Sequence, residues 1–503
     1  AIIMDANVHA LIEHYGVTAD TMRFLDQPKR MFINGQFIDR NHELVNVEDP
    51  STGGCITQIP LGTTQDVDDA VAAAHHAMTE GDWSKFTPRD REQVLRRIAE
   101  LIRDNAQTLA EIESLDSGKA ISGCKNVDIN VGANTFEYFA GWATKIQGAT
   151  RQTSFPVECT TYTRKEPVGV VGAIVPWNWP FAMSVWKLAA PLAVGCAVVL
   201  KPAELTSLSM LYLMDLCVKA GLPKGAINIV TGKGSTIGNH LVSHPGVSKV
   251  SFTGSTPVGK LVGAAAIQNV SHMTLELGGK SPMIAFEDAD IDAVAASTLN
   301  SVYFNAGQVC SAGSRLYVHR SRYDEAVEKV KAVALSIKLA PCLDPTGTMG
   351  PVISASQRNS IMGFIEQGKA EGARLVTGGN IVEERGYFIE PTLFADCTND
   401  MTIVQEEIFG PVLVMIPFDT EEEALALAND SIFGLAASIW TQDISRAHRL
   451  IPKLQAGSVW VNIHDPGDPS MPFGGIKQSG IGNDLGPEQL EHFLETKGVW
   501  IKV

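Results

Sequence analysis

Short apolar segments alternate with segments of helical periodicity between residues 168 and 270. The predicted strands are residues 168–175, 197–200, 227–230 and 249–252, and the predicted helices are residues 182–194, 207–220 and 235–243, with a further helix after Thr256-Pro257. Fully apolar strands that alternate with helices are typical of a parallel sheet covered on both faces. The pattern predicts a doubly wound α/β domain, whose ligands bind beyond the carboxyl ends of the strands.

A second alternation begins near residue 280 and predicts a second α/β domain. Its strands are expected at residues 283–286, 315–319, 412–418 and 458–462, with helices from Asp290 and over 420–429. The acidic first turn of the latter suits a helix N-terminus.

The remaining segments predict smaller elements. The pair Asn34-Gly35 between apolar residues indicates a β-hairpin turn. Helices are predicted after Thr64 and at Thr87-Pro88, where a capping residue precedes proline. The first 30 residues are expected to form an extension. The other predicted strands are residues 44–47, 160–164 and 498–503.

Composition excludes several classes of protein. A chain of 503 residues with 45% hydrophobic residues is not mainly disordered. Lys and Arg number 40 against 56 Asp and Glu, a net charge of −16, which disfavours nucleic acid and anionic membranes as partners. The longest apolar stretch, residues 188–200, is shorter than the ~18 residues of a spanning helix. Because the first 16 residues lack the features of a secretory signal, a cytoplasmic location is expected.

The eight cysteines predict free thiols and no metal site. They lie far apart, without a CxxC pair and without the Cys/His spacing of zinc sites. A reducing compartment suits such a chain. Motifs of serine hydrolases, zinc proteases and P-loop enzymes are also missing from the sequence.

Small and polar residues follow several predicted strands. A glycine-rich loop around Gly234 resembles a dinucleotide fingerprint, but its third glycine comes one residue late. Lys201 can donate to a ribose hydroxyl, and Glu204 can accept from the hydroxyls while repelling a 2′-phosphate, which favours NAD over NADP. The alternative is that both are ordinary loop charges. Gly254-Ser255 follows the next strand end.

Three further segments carry candidate chemistry. Cys310 lies among small residues and glycines, which permits a nucleophile with backbone N–H groups beside it, although most cysteines are buried apolar residues. Glu276 stands between two leucines, a setting that raises a carboxyl pKa and suits a general base; the alternative is a solvated strand end. Asn178, between two tryptophans, is either a preorganised amide donor or part of a rigid turn.

Seven motifs follow one another along the chain: Pro176-Trp177-Asn178, Lys201-Pro202-Ala203-Glu204, Phe252-Thr253-Gly254-Ser255, Leu275-Glu276-Leu277-Gly278-Gly279-Lys280, Gly307-Gln308-Val309-Cys310, Glu407-Ile408-Phe409-Gly410-Pro411 and Pro472-Phe473-Gly474-Gly475. Together they resemble the aldehyde dehydrogenase superfamily over residues 31–503. The segments that look most like bacterial phenylacetaldehyde dehydrogenases are Asn462-Ile463-His464-Asp465-Pro466, Pro472-Phe473-Gly474-Gly475 and Gln478-Ser479-Gly480-Ile481-Gly482.

The resemblance implies a fold and an assembly. A Rossmann-type NAD domain is expected over residues 31–144 and 167–278, and an α/β catalytic domain over 279–485. Residues 145–166 and 486–503 are expected to form a β-hairpin arm, whose terminal strand near Trp500 adds to a partner's sheet in a homodimer or homotetramer. A particle that remains monomeric at micromolar concentration would contradict this assembly.

The resemblance also implies a reaction and its residues. Cys310 corresponds to the nucleophile, Asn178 to the oxyanion donor and Glu276 to the base that hydrolyses the thioester, with Lys187 as a proton relay. The presence of Glu276 favours water over coenzyme A as acyl acceptor. The residues that correspond to cofactor contacts are Trp177, Lys201, Glu204, Gly234, Gly254, Ser255, Glu407 and Phe409. Those that correspond to the substrate tunnel are Trp179, Met183, Val309, Gly467 and Phe473.

The expected reaction is NAD-dependent oxidation of an aldehyde, phenylacetaldehyde in first place, to the acid. Betaine aldehyde and general aliphatic or aromatic aldehydes are alternatives, as are a cysteine esterase or acyltransferase and a structural protein. One departure stands out, because Asp484 occupies a position where many members carry the longer glutamate, which puts a proton relay there in doubt.

Overall fold

A computed structural model describes residues 4–382 and 385–503. The strands are β1 (Phe32–Ile33), β2 (Gln36–Phe37), β3 (Leu44–Glu48), β4 (Cys55–Pro60), β5 (Cys159–Pro167), β6 (Val171–Ile174), β7 (Val198–Lys201), β8 (Ile227–Ile229), β9 (Lys249–Thr253), β10 (His272–Glu276), β11 (Pro282–Ala285), β12 (Arg315–His319), β13 (Arg374–Thr377), β14 (Thr392–Ala395), β15 (Val412–Phe418), β16 (Ala436–Trp440), β17 (Ser458–Val461), β18 (Gly480–Ile481) and β19 (Leu494–Lys502).

The α-helices are α1 (Ala6–Tyr15), α2 (Ala19–Asp26), α3 (Thr64–Thr79), α4 (Asp82–Lys85), α5 (Pro88–Asp104), α6 (Ala106–Ser117), α7 (Ile121–Gly123), α8 (Asn130–Ala140), α9 (Pro180–Val194), α10 (Leu208–Ala220), α11 (Asn239–Val242), α12 (Thr256–Gln268), α13 (Ile291–Ser297), α14 (Arg320–Ser336), α15 (Ala355–Ala370), α16 (Thr402–Gln405), α17 (Glu421–Asn429), α18 (Ile444–Leu450) and α19 (Glu488–Glu491). In the described ranges, no helix is both long and apolar enough to cross a membrane.

The first sheet has eight strands in the order β18-β10-β9-β6-β7-β8-β1-β2. Strands β6 to β10 run parallel, as their apolar character predicts, and helices cover them. The predicted hairpin closes one edge, where Asn34 and Gly35 both have positive φ, of 54° and 81°. The α/β class is therefore confirmed for this half of the chain.

The second sheet has seven strands in the order β13-β14-β15-β12-β11-β16-β17. All its pairs are parallel except β13 with β14 at one edge. Each sheet has its own buried apolar cluster. After β17 the chain returns to the first sheet at β18, which lies before the expected domain boundary at residue 485.

Strands β5 and β19 form a separate two-stranded antiparallel ladder, the arm. It pairs nine residues, from Cys159 with Lys502 to Pro167 with Leu494. Both strands are longer than predicted, because their side chains are mostly half-buried in β5 and exposed in β19, and apolar alternation does not mark their ends. The terminal strand pairs with β5 of its own chain, and addition of the arm to a partner's sheet stays a prediction.

Two segments differ from the expected pattern. The expected helix over 235–243 opens as a π-helical turn, Gly234–Gly238, before α11, where glycines at both ends of the turn relax the helical ladder. The N-terminal segment is also more than an extension. Helices α1 and α2 bury Val8 and Leu25 in a third apolar cluster with Ile112 and Cys342, which belong to different parts of the chain.

Candidate active site

The link between β10 and β11 leaves no room for side chains at Gly278 and Gly279. A Cβ at Gly278 would lie 2.8 Å from Glu407 Oε1, and one at Gly279 would lie 2.5 Å from the carbonyl oxygen of Cys310. The Gly279 N–H donates to Glu407 Oε2 at 2.7 Å. The chain thus leaves the first sheet at Glu276 and at once meets the two segments of the second domain that carry Cys310 and Glu407.

The turn before Cys310 has a strained backbone. Asn305 and Ala306 have left-handed φ angles of 49° and 53°, and Gly307 follows with φ 76°. A Cβ at Gly307 would meet the Gly410 carbonyl oxygen at 1.8 Å, so glycine is required there. The turn is held from the first domain, because Asn305 Nδ2 donates to the Asn178 carbonyl at 2.9 Å.

The Asn178 side chain points at the Cys310 loop. Its Nδ2 donates to the Gln308 carbonyl oxygen at 3.1 Å, while its buried Oδ1 has no partner among the described residues. Asn178 directly precedes Trp179, the cap residue of α9. The structure therefore brings the predicted amide donor next to the segment that carries the predicted nucleophile.

The Cys310 thiol lies in a low-dielectric, acidic setting. Burial raises its pKa well above the ordinary value, and the nearby carboxylates of Asp465, Glu407 and Glu276 raise it further, against a backbone hydrogen bond at Ser311 that lowers it. The neutral thiol is therefore the favoured form, and a base has to remove its proton before it attacks an electrophile.

A polar cluster beside Cys310 was not singled out from the sequence. The Ser311 hydroxyl donates to Asp465 Oδ1 at 2.7 Å. His464 Nε2 lies 3.0 Å from the Ser311 carbonyl, which can only accept, so Nε2 carries the proton and Nδ1 accepts from Ser438 Oγ at 2.7 Å. Burial lowers the pKa of His464, which keeps it neutral in this arrangement. The cluster fixes the backbone after Cys310, and single polar residues in a loop gave no signal of it.

Glu276 ends β10 in a buried position. In the described chain, neither of its carboxylate oxygens has a hydrogen-bond partner. Burial raises its pKa well above the ordinary value, the charge of Asp484 raises it further, and the Lys187 ammonium opposes both. A carboxyl group in this state can take up a proton near neutral pH, as a general base must.

Lys187 and Asp484 form a buried ion pair close to Glu276. Lys187 Nζ lies 3.1 Å from Asp484 Oδ2 and 3.1 Å from Ser251 Oγ, and both charged side chains are almost fully buried. Gln489 Nε2 donates to the other oxygen of Asp484 at 3.1 Å. The shorter aspartate therefore does reach Lys187.

The predicted cofactor residues lie at the carboxyl edge of the first sheet. Lys201 ends β7, and its Nζ donates to the Pro202 carbonyl at 3.0 Å, while burial lowers its pKa to about 8. Glu204 follows in the next turn, and Gly234 follows β8. In the part of the chain that is described, a Cβ at Gly234 would meet no atom within 4 Å, which leaves open space beside the turn.

The other predicted cofactor residues lie near the strand ends of both domains. Ser255 caps α12, where its Oγ accepts from the Val258 N–H, and Gly254 precedes it directly after β9. Trp177 and Phe409 pack edge to face with ring centroids 5.4 Å apart. Burial raises the pKa of Glu407 to about 7. The edge that these residues form offers hydroxyl-binding charges and an aromatic pair to one extended ligand.

Four of the five predicted tunnel residues lie on buried or half-buried elements around α9. Trp179 packs against Phe304 with centroids 5.7 Å apart, and Phe473 packs against Trp186 with centroids 5.5 Å apart. Met183 and Val309 are buried. Gly467, by contrast, lies in an exposed loop.

Trp186 was missed at the sequence level. Within the described residues, its buried indole N–H has no hydrogen-bond partner. It follows Trp179 and Met183 at helical spacing (i, i+4, i+7), which places all three on one face of α9 and is a signal that sequence reasoning can use.

A group of metal-ligand residue types lies between α3 and α11. His240 Nε2 and His244 Nε2 lie 2.8 and 3.0 Å from Asp68 Oδ1. The Gly246 N–H donates to His244 Nδ1, so the proton of this ring is on Nε2, which donates to Asp68 and is not free to bind a metal. The expectation of no metal site stays a prediction.

A sequence model of the protein family described as "Aldehyde dehydrogenase family" matches residues 37–499 of this chain. The chain belongs to the aldehyde dehydrogenase family. Phenylacetaldehyde dehydrogenase of Pseudomonas fluorescens is 42% identical over 481 residues, 94% of this chain and 96% of the relative. The structure of a Bacillus cereus aldehyde dehydrogenase in complex with NAD+ has 42% identity and a TM-score of 0.94, covering 97% of this chain and 99% of that one. Betaine aldehyde dehydrogenase of Staphylococcus aureus with NAD+ has 40% identity and a TM-score of 0.93, covering 96% and 97%.

We expect the substitution Gly279→Ala to leave this aldehyde dehydrogenase folded but to lower its rate of aldehyde oxidation by about 10²-fold, because an added Cβ displaces the Cys310 backbone and a shift of about 1 Å has that effect. Circular dichroism monitors the fold. The matched control is Gly363→Ala in α15, where the described residues leave the space open, and it should keep full activity. Equal activity of the two variants would contradict the role given to Gly279.

Proposed function

We propose that this aldehyde dehydrogenase oxidises phenylacetaldehyde to phenylacetate with NAD and hydrolyses its acyl intermediate with water. The observation that carries the hydrolytic reaction is Glu276, a buried carboxyl with no partner in the described residues, close enough to Cys310 to raise the pKa of its thiol. The aromatic side chains Trp179, Phe304, Trp186 and Phe473 around α9 support an aryl-substituted substrate. The similarity to a phenylacetaldehyde dehydrogenase agrees with this choice.

The carboxyl edge of the first sheet fits a dinucleotide. Lys201 and Glu204 would hold the hydroxyls of one ribose, and the negative charge of Glu204 disfavours a 2′-phosphate. Glu407 would hold the second ribose, since only one of its oxygens accepts from Gly279 N–H. The open space at Gly234 and the capped start of α12 at Ser255 suit the diphosphate. When bound, NAD accepts the hydride of the aldehyde.

Cys310 and Asn178 carry the first half of the reaction. Once Glu276 has taken its proton, the Cys310 Sγ forms a bond to the aldehyde carbon, and the carbonyl π electrons move to the oxygen. The negative charge on that oxygen is stabilised by the Asn178 amide and the Cys310 N–H, and each such donor is worth about 10²–10³-fold in rate. For this, the Asn178 amide has to break its hydrogen bond to the Gln308 carbonyl and donate to the substrate oxygen instead.

Glu276 carries the second half. After loss of the hydride, the acyl group stays on Cys310 as a thioester. Glu276 first loses to solvent the proton that it took from Cys310. It then removes a proton from a water molecule, whose oxygen bonds to the acyl carbon, and the C–S bond breaks to release the acid and the thiolate. Lys187 and Asp484 lie behind Glu276 and set the electrostatic potential at its carboxyl group.

We expect the substitution Asp484→Asn to move the pH dependence of acid release to lower pH. The charge of Asp484 raises the pKa of Glu276 and that of Lys187 lowers it, so removal of Asp484 leaves the lysine unopposed. The base must be deprotonated, so release rises as pH passes upward through its pKa, and the midpoint of this rise should fall. Quenched-flow measurement of acid release gives the midpoint. Asp484→Glu keeps the charge and should stay close to the wild type; an unchanged or higher midpoint for Asp484→Asn would contradict the assignment.

The substrate proposal is tested by NADH formation from a panel of aldehydes, each with NAD and with NADP. We expect kcat/KM for phenylacetaldehyde to exceed that for hexanal and succinic semialdehyde by about tenfold or more, since the aromatic side chains favour an aryl group. NAD should be preferred to NADP, because of Glu204. Cys310→Ala is the inactive control. A preference for succinic semialdehyde would overturn the substrate, and folded protein without activity on any aldehyde would overturn the function.

A further inference from the structure

One face of Trp179 is covered by a buried cation. Lys119 Nζ lies 4.0 Å from the centroid of the indole ring, while the Lys119 side chain is only 2% exposed. Trp179 itself is half-buried, so part of this residue is accessible. No sequence motif marks Lys119, and it takes no part in the reaction described above.

Lys119 is held in place by a buried carboxylate. Its Nζ lies 2.5 Å from Asp128 Oδ2, and Asp128 is fully buried on a π-helical turn, Cys124–Ile129. A buried ion pair of this kind is a poor source of stability, because both charges lose their hydration. Wide π-helical turns also occur often at functional sites. An effect on the adjacent Trp179 therefore explains this ion pair better than a contribution to stability does.

The same segment anchors the helix that begins beside Trp179. Glu113 on α6 accepts a hydrogen bond from the Phe181 N–H in the first turn of α9 at 2.9 Å. Burial and the nearby Asp128 raise the pKa of Glu113 well above its ordinary value, against the Lys119 ammonium, which lowers it. The charged group of this cluster that lies over the Trp179 ring is the Lys119 ammonium.

Phe304 shares this environment. Its ring centroid lies 5.9 Å from Lys119 Nζ and 5.7 Å from the centroid of Trp179. Gly123 packs against the ring, since a Cβ there would lie 3.4 Å from it. Two neighbouring aromatic rings, each partly accessible, are thus polarised by one ammonium group.

We propose that Lys119 is a specificity-determining residue that directs the enzyme toward neutral aldehydes and against cationic ones. The ring quadrupole of Trp179 already engages an ammonium group, so a second cation that contacts this residue gains little and is repelled by Lys119. A neutral aryl group does not suffer this repulsion. The inference rests on the proposed function, in which Trp179 contacts the substrate.

The test compares two aldehydes of equal shape. Betaine aldehyde carries a trimethylammonium group, and 3,3-dimethylbutanal carries a tert-butyl group in its place, so their ratio of kcat/KM reports charge. We expect the wild type to favour the neutral aldehyde by about tenfold or more. Lys119→Met should move the ratio toward betaine aldehyde by about tenfold, whereas Lys119→Arg keeps the cation and should leave it unchanged. A general structural defect lowers both rates and does not move the ratio.

The double variant Lys119→Met/Asp128→Leu removes the pair without leaving a buried charge and serves if the single variant does not fold. A wild type that favours betaine aldehyde, or a ratio that is the same in wild type and folded charge-free variants, would overturn the proposal. The proposed function fails separately. If phenylacetaldehyde is a poor substrate but the charge ratio shifts as expected, the role of Lys119 stands and the substrate assignment does not.

Discussion

The close approach at Gly278 and Gly279 is the constraint on which the site depends. At this link the chain crosses from one parallel sheet to the other, and its backbone touches both Glu407 and the Cys310 loop. A side chain at Gly279 would push the Cys310 backbone away from the link that carries the base, and one at Gly278 would displace the Glu407 carboxylate. The close packing of the two sheets, each with its own apolar cluster, therefore sets the distance between the reacting groups.

Burial then sets the protonation states of the site. Burial raises the pKa of both the Glu276 carboxyl and the Cys310 thiol, because each charged form is poorly solvated. The charge of Asp484 raises the pKa of Glu276 further, and nearby carboxylates, Glu276 among them, raise that of Cys310. One proton shared between such a pair can move from sulfur to oxygen with no net change in charge. The charge of Lys187 lowers the pKa of Glu276 and that of Asp484 raises it. The Asn178 amide stabilises the negative charge that develops on the substrate oxygen.

Much of the fold was predictable because its strands are short and apolar and its helices are capped. The return of β18 to the first sheet was not, since two residues carry no period, and the arm was underestimated because its strands are exposed. Cys310, Glu276 and Asn178 stood out by local composition and by resemblance, and the structure brings them to one place. His464, Asp465, Trp186 and Lys119 were missed, because their roles come from partners distant in the sequence.

The most direct test of the account follows the acyl group in the substitution Glu276→Gln, with phenylacetaldehyde and NAD. The amide can accept a proton neither from the Cys310 thiol nor from water. We expect NADH to form more slowly than in the wild type, because solvent must take the thiol proton, and to reach about the enzyme concentration. Turnover should then be slow, because hydrolysis of the thioester has lost its base. Peptide mass spectrometry of the quenched reaction should find the acyl group on Cys310 and on none of the other seven cysteines. Steady turnover at the wild-type rate, or an acyl group on a different residue, would contradict the assignment of base and nucleophile.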